Sequence, residues 1–201
     1  MLNYPDGVNP RRVYHELNKR LPPNAIVTAD AGTTAHWYAH HIRLRRGMMG
    51  DLSGRPATTL AAMPYAVAVK FAYPDRPVIC TIEDGAFQVL GMNELITVKE
   101  YMAQWSNQLV LVLHNDDLNQ VSWEMRTEDG NPVWPTSQDI QSVDYAGWAE
   151  LLGFSGIRVT SDDDVEAAWE GAFPNPGVTL IDARTPARTS RRCRHTSPEN
   201  S

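Results

Sequence analysis

The sequence predicts an α/β fold, doubly wound, with a mostly parallel sheet and helices on both faces. Apolar strand-like runs alternate with amphipathic helical stretches along most of the 201 residues, the order that builds a parallel sheet. These runs are short and almost continuously apolar, as strands covered on both faces are. Two of them, residues 77–82 and 109–113, deliver an oxygen-bearing side chain just past their carboxyl ends, Asp84 and Asn115. Such ends form the ligand crevice of an open α/β sheet.

Each element follows in order. Val13, Leu17 and Leu21 keep helical spacing after Pro10, which suits a first helical turn, and Pro22-Pro23 stops that helix. Residues 25–29 read as a strand ending in the polar, Gly-containing stretch Asp30-Ala-Gly-Thr-Thr34, before a helix through His36, Trp37, Tyr38 and His40. Residues 43–56 read as loop, and residues 59–72 as an Ala-rich helix with Pro64 in its first turns or at a kink. After the strand at 78–82 comes an Asp-Gly turn. Leu95, Val98 and Met102 then mark a helix, which a turn at 104–108 connects to the strand at 109–113. Gly, Pro and polar residues at 127–139 signal a long loop, a candidate active-site flap. Tyr145, Trp148, Ala149 and Leu152 share one helix face, and Val165, Ala168, Trp169 and Ala172 another, with strands at 156–159 and 178–181. One domain is expected over residues 1–186, with residues 187–201 as a disordered tail.

A net charge of −6 argues against a polyanion partner, because nucleic-acid binders show a basic face. The local exception is the arginine-rich carboxyl end, Arg184, Arg188, Arg191, Arg192 and Arg194. Cys80 and Cys193 form neither a disulfide framework nor a zinc-ligand spacing, so a reducing cytoplasm is the expected location. The start carries no basic-then-apolar leader, and no apolar run approaches the ~18 residues of a membrane span. His36, His40 and His41 have no carboxylate or thiol partners at ligand spacing and read as a helix surface. A nucleotide-binding domain of the doubly wound class is the competing phosphate binder, but a glycine-rich fingerprint is missing after the first strand.

The pair Asp84 and Asn115 suits magnesium, which takes a few protein oxygens and keeps phosphate oxygens among its ligands. Glu83-Asp84-Gly85 followed by His114-Asn115 resembles the Gly-Asp-Gly to Asn-Asn signature of thiamine-diphosphate-dependent enzymes. The flanking stretches at 87–97 and 117–123 resemble the pyruvate oxidase and acetolactate synthase branch, and the resemblance covers about residues 9–186. It implies a carboxyl-terminal domain that binds thiamine diphosphate and Mg2+ and acts on a 2-oxo acid such as pyruvate.

Carried over by position, Asp84 and Asn115 would hold the metal with the Asp117 carbonyl, and Gly85 and Ala86 would meet the diphosphate. Gly32, Thr33 and Thr34 fall in the loop that also touches it. Thr58 and Thr59 fall in the loop that carries the two rings, and Leu118 lies beside the metal loop. No residue is assigned a proton-transfer role. The activating glutamate of the family comes from a pyrimidine-binding domain, which no part of this chain resembles. That partner is expected on another chain or a homologous subunit, and FAD would enter only with a separate middle domain.

Three departures bear on binding. Glu83 replaces the first glycine of the signature, placing an anion beside the diphosphate. Thr59 stands where a larger apolar side chain wedges between the rings. Leu60 and Ala62 replace glycines. A non-catalytic remnant with weak or no cofactor affinity is therefore the alternative expectation. The tail supports it: residues 190–198 can be encoded by codons whose neighbouring frame reads Val-Pro-Pro-Leu-Pro-Pro-His-Ile-Thr, like the family's Pro-rich ending, so the basic tail reads as out-of-frame translation.

Overall fold

The computed structural model describes residues 7–53, 57–105, 107–132 and 134–187. The expectations for the tail beyond residue 187, Cys193 included, lie outside these residues. Helix α1 (Pro10–Arg20) starts where Asn9 Oδ1 accepts the Arg11 N–H and Pro10 fills the first turn, and it buries Val13, Tyr14 and Leu17. Strand β1 (Ile26–Ala29) follows, then α2 (Thr33–His41) and β2 (Met49–Leu52). Helix α3 (Ala62–Ala72) leads to β3 (Val78–Glu83). From there α4 (Asp84–Ala86), a π-helical turn at Phe87–Gly91 and α5 (Met92–Tyr101) follow one another without a break. Strand β4 (Gln108–His114) is followed by α6 (Asn119–Glu128), α7 (Pro135–Gln138) and α8 (Tyr145–Leu151). The chain closes with β5 (Ser155–Val159), α9 (Asp164–Ala172) and β6 (Val178–Arg184).

The six strands form one sheet in the order β2-β1-β3-β4-β6-β5, every pair parallel. Pleating sends alternate residues of β3 to opposite sides. Cys80 and Ile82 join Ala62, Met63, Leu95 and Tyr145 beneath α3, α5 and α8. Ile79 joins Val13, Leu17 and Trp169 beneath α1 and α9, where the Trp169 indole N–H donates to the Val13 carbonyl at 3.1 Å. Apolar side chains thus fill both sides of β3 and β4, which accounts for their uninterrupted apolar sequences. Strand order reverses between β1 and β3, so their carboxyl ends and that of β4 open onto the crevice of the doubly wound sheet.

Three expectations need correction. The stretch read as loop at 43–56 contains β2, an edge strand whose residues are mostly exposed. Its sequence, Met-Gly-Asp-Leu, carries no alternation to announce it, and backbone pairing to β1 decides its state. The helix expected from residue 59 begins at Ala62, because Asp30 holds the preceding turn: its carboxylate accepts the Leu60 N–H at 2.9 Å and the Ala62 N–H at 3.2 Å. Leu60 takes φ 90°, a left-handed backbone that side-chain-bearing residues rarely adopt, and the two Asp30 bonds hold it there. Finally, the region after β4 is more helical than its polarity suggests. Helices α6 and α7 fold on each other, with the Ser122 hydroxyl donating to Gln138 Oε1 at 2.9 Å. The base of this excursion is tied by backbone bonds from Leu118 N to Gln138 O and from Ile140 N to Asp116 O.

Candidate functional site

Strand β3 ends by placing Glu83 and then Asp84 at the crevice, and both are buried. The Asp84 carboxylate draws three backbone N–H groups. Oδ1 accepts from Gly85 at 2.9 Å, while Oδ2 accepts from Asn115 at 2.8 Å and Asp116 at 2.6 Å. Burial pushes its pKa up, opposed by these three hydrogen bonds. The ends of β3 and β4 are thereby joined through one carboxylate. Asn115 Oδ1 accepts the Asp117 N–H at 2.9 Å, and the Asp117 carbonyl accepts from Asn119 N at 2.7 Å. Each of these oxygens keeps a second lone pair. The turn also needs Asp116 at φ 57°, a conformation Asp tolerates better than most residues.

Glu83 turns toward α2. Its Oε1 accepts the Thr33 N–H at 2.9 Å and the Thr33 hydroxyl, both at the first turn of that helix. A Cβ at Gly32, which sits at φ 88°, would come within 2.4 Å of Glu83 Oε2, so glycine is what lets the carboxylate lie there. Burial is the main cause of a Glu83 pKa pushed up to about 8, with the Asp84 charge adding to it.

Beside these groups lies a cleft of about 380 Å³. Gly32, Thr59, Gly85, Ala86 and Leu118 line it, joined by Glu83. Further lining residues were not singled out as ligand contacts: Ser53 and Leu52 from the β2 end, His36 from α2, and Gln120, Val121 and Glu124 from α6. The overlooked strand and helix account for most of them. Among the described lining residues there is no Lys or Arg, and Glu83 and Glu124 are both acids. The Thr34 hydroxyl donates inward to the Ala31 carbonyl at 3.0 Å, and Thr58 presents its carbonyl to the Ser53 hydroxyl at 2.6 Å.

His114 is the centre of a charged network at the end of β4. Its Nδ1 lies 2.8 Å from Asp182 Oδ1 on β6 and its Nε2 lies 2.8 Å from Asp116 Oδ1. Burial alone would lower the imidazole pKa, but the bond and charge of Asp182, joined by Asp116, raise it overall. Asp182 could have been noticed as an acid inside the apolar run Val-Thr-Leu-Ile-Asp-Ala. Asp84, His114 and Asp116 bring possible ligand atoms within 4.8 Å of one another. Arg184 pairs with Asp116 and touches His114 Nε2, so a guanidinium already supplies positive charge there.

The parallel doubly wound sheet thus sets a carboxylate and a carboxamide at neighbouring strand ends, where open α/β sheets bind their ligands. Residues 30–183 match the family described as thiamine pyrophosphate enzyme, C-terminal TPP binding domain, and the chain belongs to that family. It is 28% identical over 175 residues to a putative thiamine pyrophosphate-containing protein of Bacillus subtilis, covering 87% of this chain and 29% of that protein. Over 189 residues it is 30% identical to a putative acetolactate synthase large subunit of Mycobacterium tuberculosis, covering 88% of this chain and 31% of that protein. An acetolactate synthase isozyme 2 large subunit of Escherichia coli is 28% identical over 177 residues, with 88% and 31% covered. The chain therefore spans about three tenths of the length of these relatives. Among the described residues, no helix is long and apolar enough to cross a membrane.

Proposed function

We propose that this chain is the thiamine diphosphate and Mg2+ binding part of a pyruvate oxidase or acetolactate synthase type enzyme acting on a 2-oxo acid. The observation that carries this reading is the Asp84 carboxylate at the end of β3, bound to the Asn115 and Asp116 amides at the end of β4. It ties the Asp84 side chain to the backbone that carries Asn115 and Asp116 at the crevice. The Asp117 carbonyl completes the proposed ligand set, and Gly85 and Ala86 would face the diphosphate.

The residues fit the group at this end only. At the α2 end the Thr33 N–H, proposed for the diphosphate, is held by Glu83. When bound, the cofactor supplies the electron sink for decarboxylating the 2-oxo acid. This chain's own residues would anchor it, and a pyrimidine-binding domain on another chain or subunit would complete the site. Whether the whole acts as an oxidoreductase, transferase or lyase depends on that assembly.

A second reading, a non-catalytic remnant with weak or no affinity, is favoured by Glu83. Calorimetric titration of the chain with thiamine diphosphate and Mg2+, repeated on Asp84→Ala, separates the two. Heat that Asp84→Ala abolishes supports the first reading, and its absence at millimolar ligand supports the second.

A further inference from the structure

We infer that Glu83 is a built-in occupant of the anion seat at the start of α2, and that its carboxylate keeps a diphosphate out of that seat. This rests on the cofactor reading above and deepens it. A nine-residue helix offers positive partial charge and free N–H groups at its first turn, where an anion is stabilised. Here the anion comes from the neighbouring strand. Glu83 Oε1 takes both the N–H and the hydroxyl of Thr33, and Oε2 lies over Gly32, whose missing Cβ makes the room. The two carboxylate oxygens thus use the donor and the glycine space that a phosphoryl group would need.

The surrounding charge adds to the exclusion. Glu124 reaches the same cleft from α6, and no Lys or Arg among the described lining residues offsets the pair. A phosphoryl group approaching α2 would find the Thr33 N–H and hydroxyl already taken and the Gly32 space filled, with any charge on the Glu83 carboxyl adding repulsion in a poorly solvated site. Removing the charge while keeping the acceptor shape should weaken the exclusion, and removing the side chain should end it.

The test titrates thiamine diphosphate with Mg2+ into the unaltered chain, Glu83→Gln, Glu83→Gly and Glu83→Gly/Asp84→Ala. Circular dichroism checks that each variant is folded. The expected result is affinity about tenfold or more higher in Glu83→Gly than in the unaltered chain, with Glu83→Gln between them, and loss of the gain in the double variant. Without ligand, Glu83→Gly should melt at a lower temperature, because Thr33 loses its acceptor; Glu83→Gln keeps one and covers the case in which the glycine variant does not fold. Equal, measurable affinity in the unaltered chain and both single variants overturns the inference and leaves the cofactor reading standing. A gain that survives Asp84→Ala also overturns it, since binding would lie elsewhere. Folded single variants that take up no ligand overturn the cofactor reading, and this inference with it.

Discussion

At the residue scale, Glu83, Leu60 and His114 are each tied into the structure by contacts from other parts of the chain. Glu83 caps α2, Leu60 holds a left-handed backbone anchored by Asp30, and His114 bridges two carboxylates. The last contact gives a direct expectation. His114→Ala leaves Asp182, only 8% exposed, without its imidazole partner. Stability should fall by about 3–5 kcal/mol, the usual consequence of breaking a buried charged pair. Urea unfolding of the variant beside the unaltered chain measures it, and a change under about 1 kcal/mol, the size of an exposed pair, would show the contact to be weak. The position was visible in the sequence as His before Asn115, but its partner lies 68 residues away on β6, beyond the reach of local pattern.

At the element scale, α3 shows how a buried cation can end a helix. Lys70 is buried, and its Nζ donates to the carbonyls of Pro74 at 3.2 Å and Arg76 at 2.7 Å, pinning the turn into β3. Burial pulls its pKa down to about 8, opposed by Asp75. A lowered folded pKa means that the unfolded chain binds the extra proton, so the penalty is full below pH 8 and relaxes as pH rises toward the ordinary lysine value. The stability of the unaltered chain relative to Lys70→Met should therefore increase from about pH 8 to about pH 9.5, below the range where tyrosines ionise. Denaturant midpoints across that range provide the check, and a flat difference would remove burial as the cause. Helices with clear apolar faces, such as α1 and α9, were legible in sequence. The edge strand β2 and the pair α6 and α7 were not, because pairing and mutual packing hold them rather than an apolar stripe.

At the scale of the molecule, several large apolar side chains remain uncovered. Val89 and Ile96 on the helical run after β3 are 64% and 52% exposed. Val121, which lines the cleft, and Trp134, just before α7, are 45% and 49% exposed. Surfaces of this kind mark interaction sites in soluble proteins. Under the proposed function they would meet a pyrimidine-binding domain. The isolated chain should then self-associate, with an apparent mass by light scattering that rises with concentration. Adding a pyrimidine-binding domain should return it to a defined complex, whereas a concentration-independent monomer would count against an exposed interface.

The sequence by itself determined the alternating α/β order, the parallel sheet and the placing of Asp84 and Asn115 just past two strand ends, because hydrophobic periodicity and strand-end motifs are local properties of the chain. Only the tertiary structure decided which way Glu83 points, what holds His114, and that β2 and α6 help to wall the cleft. Those outcomes depend on groups brought together across the sheet: Thr33 lies 50 residues from Glu83, and sequence order carries no record of that distance.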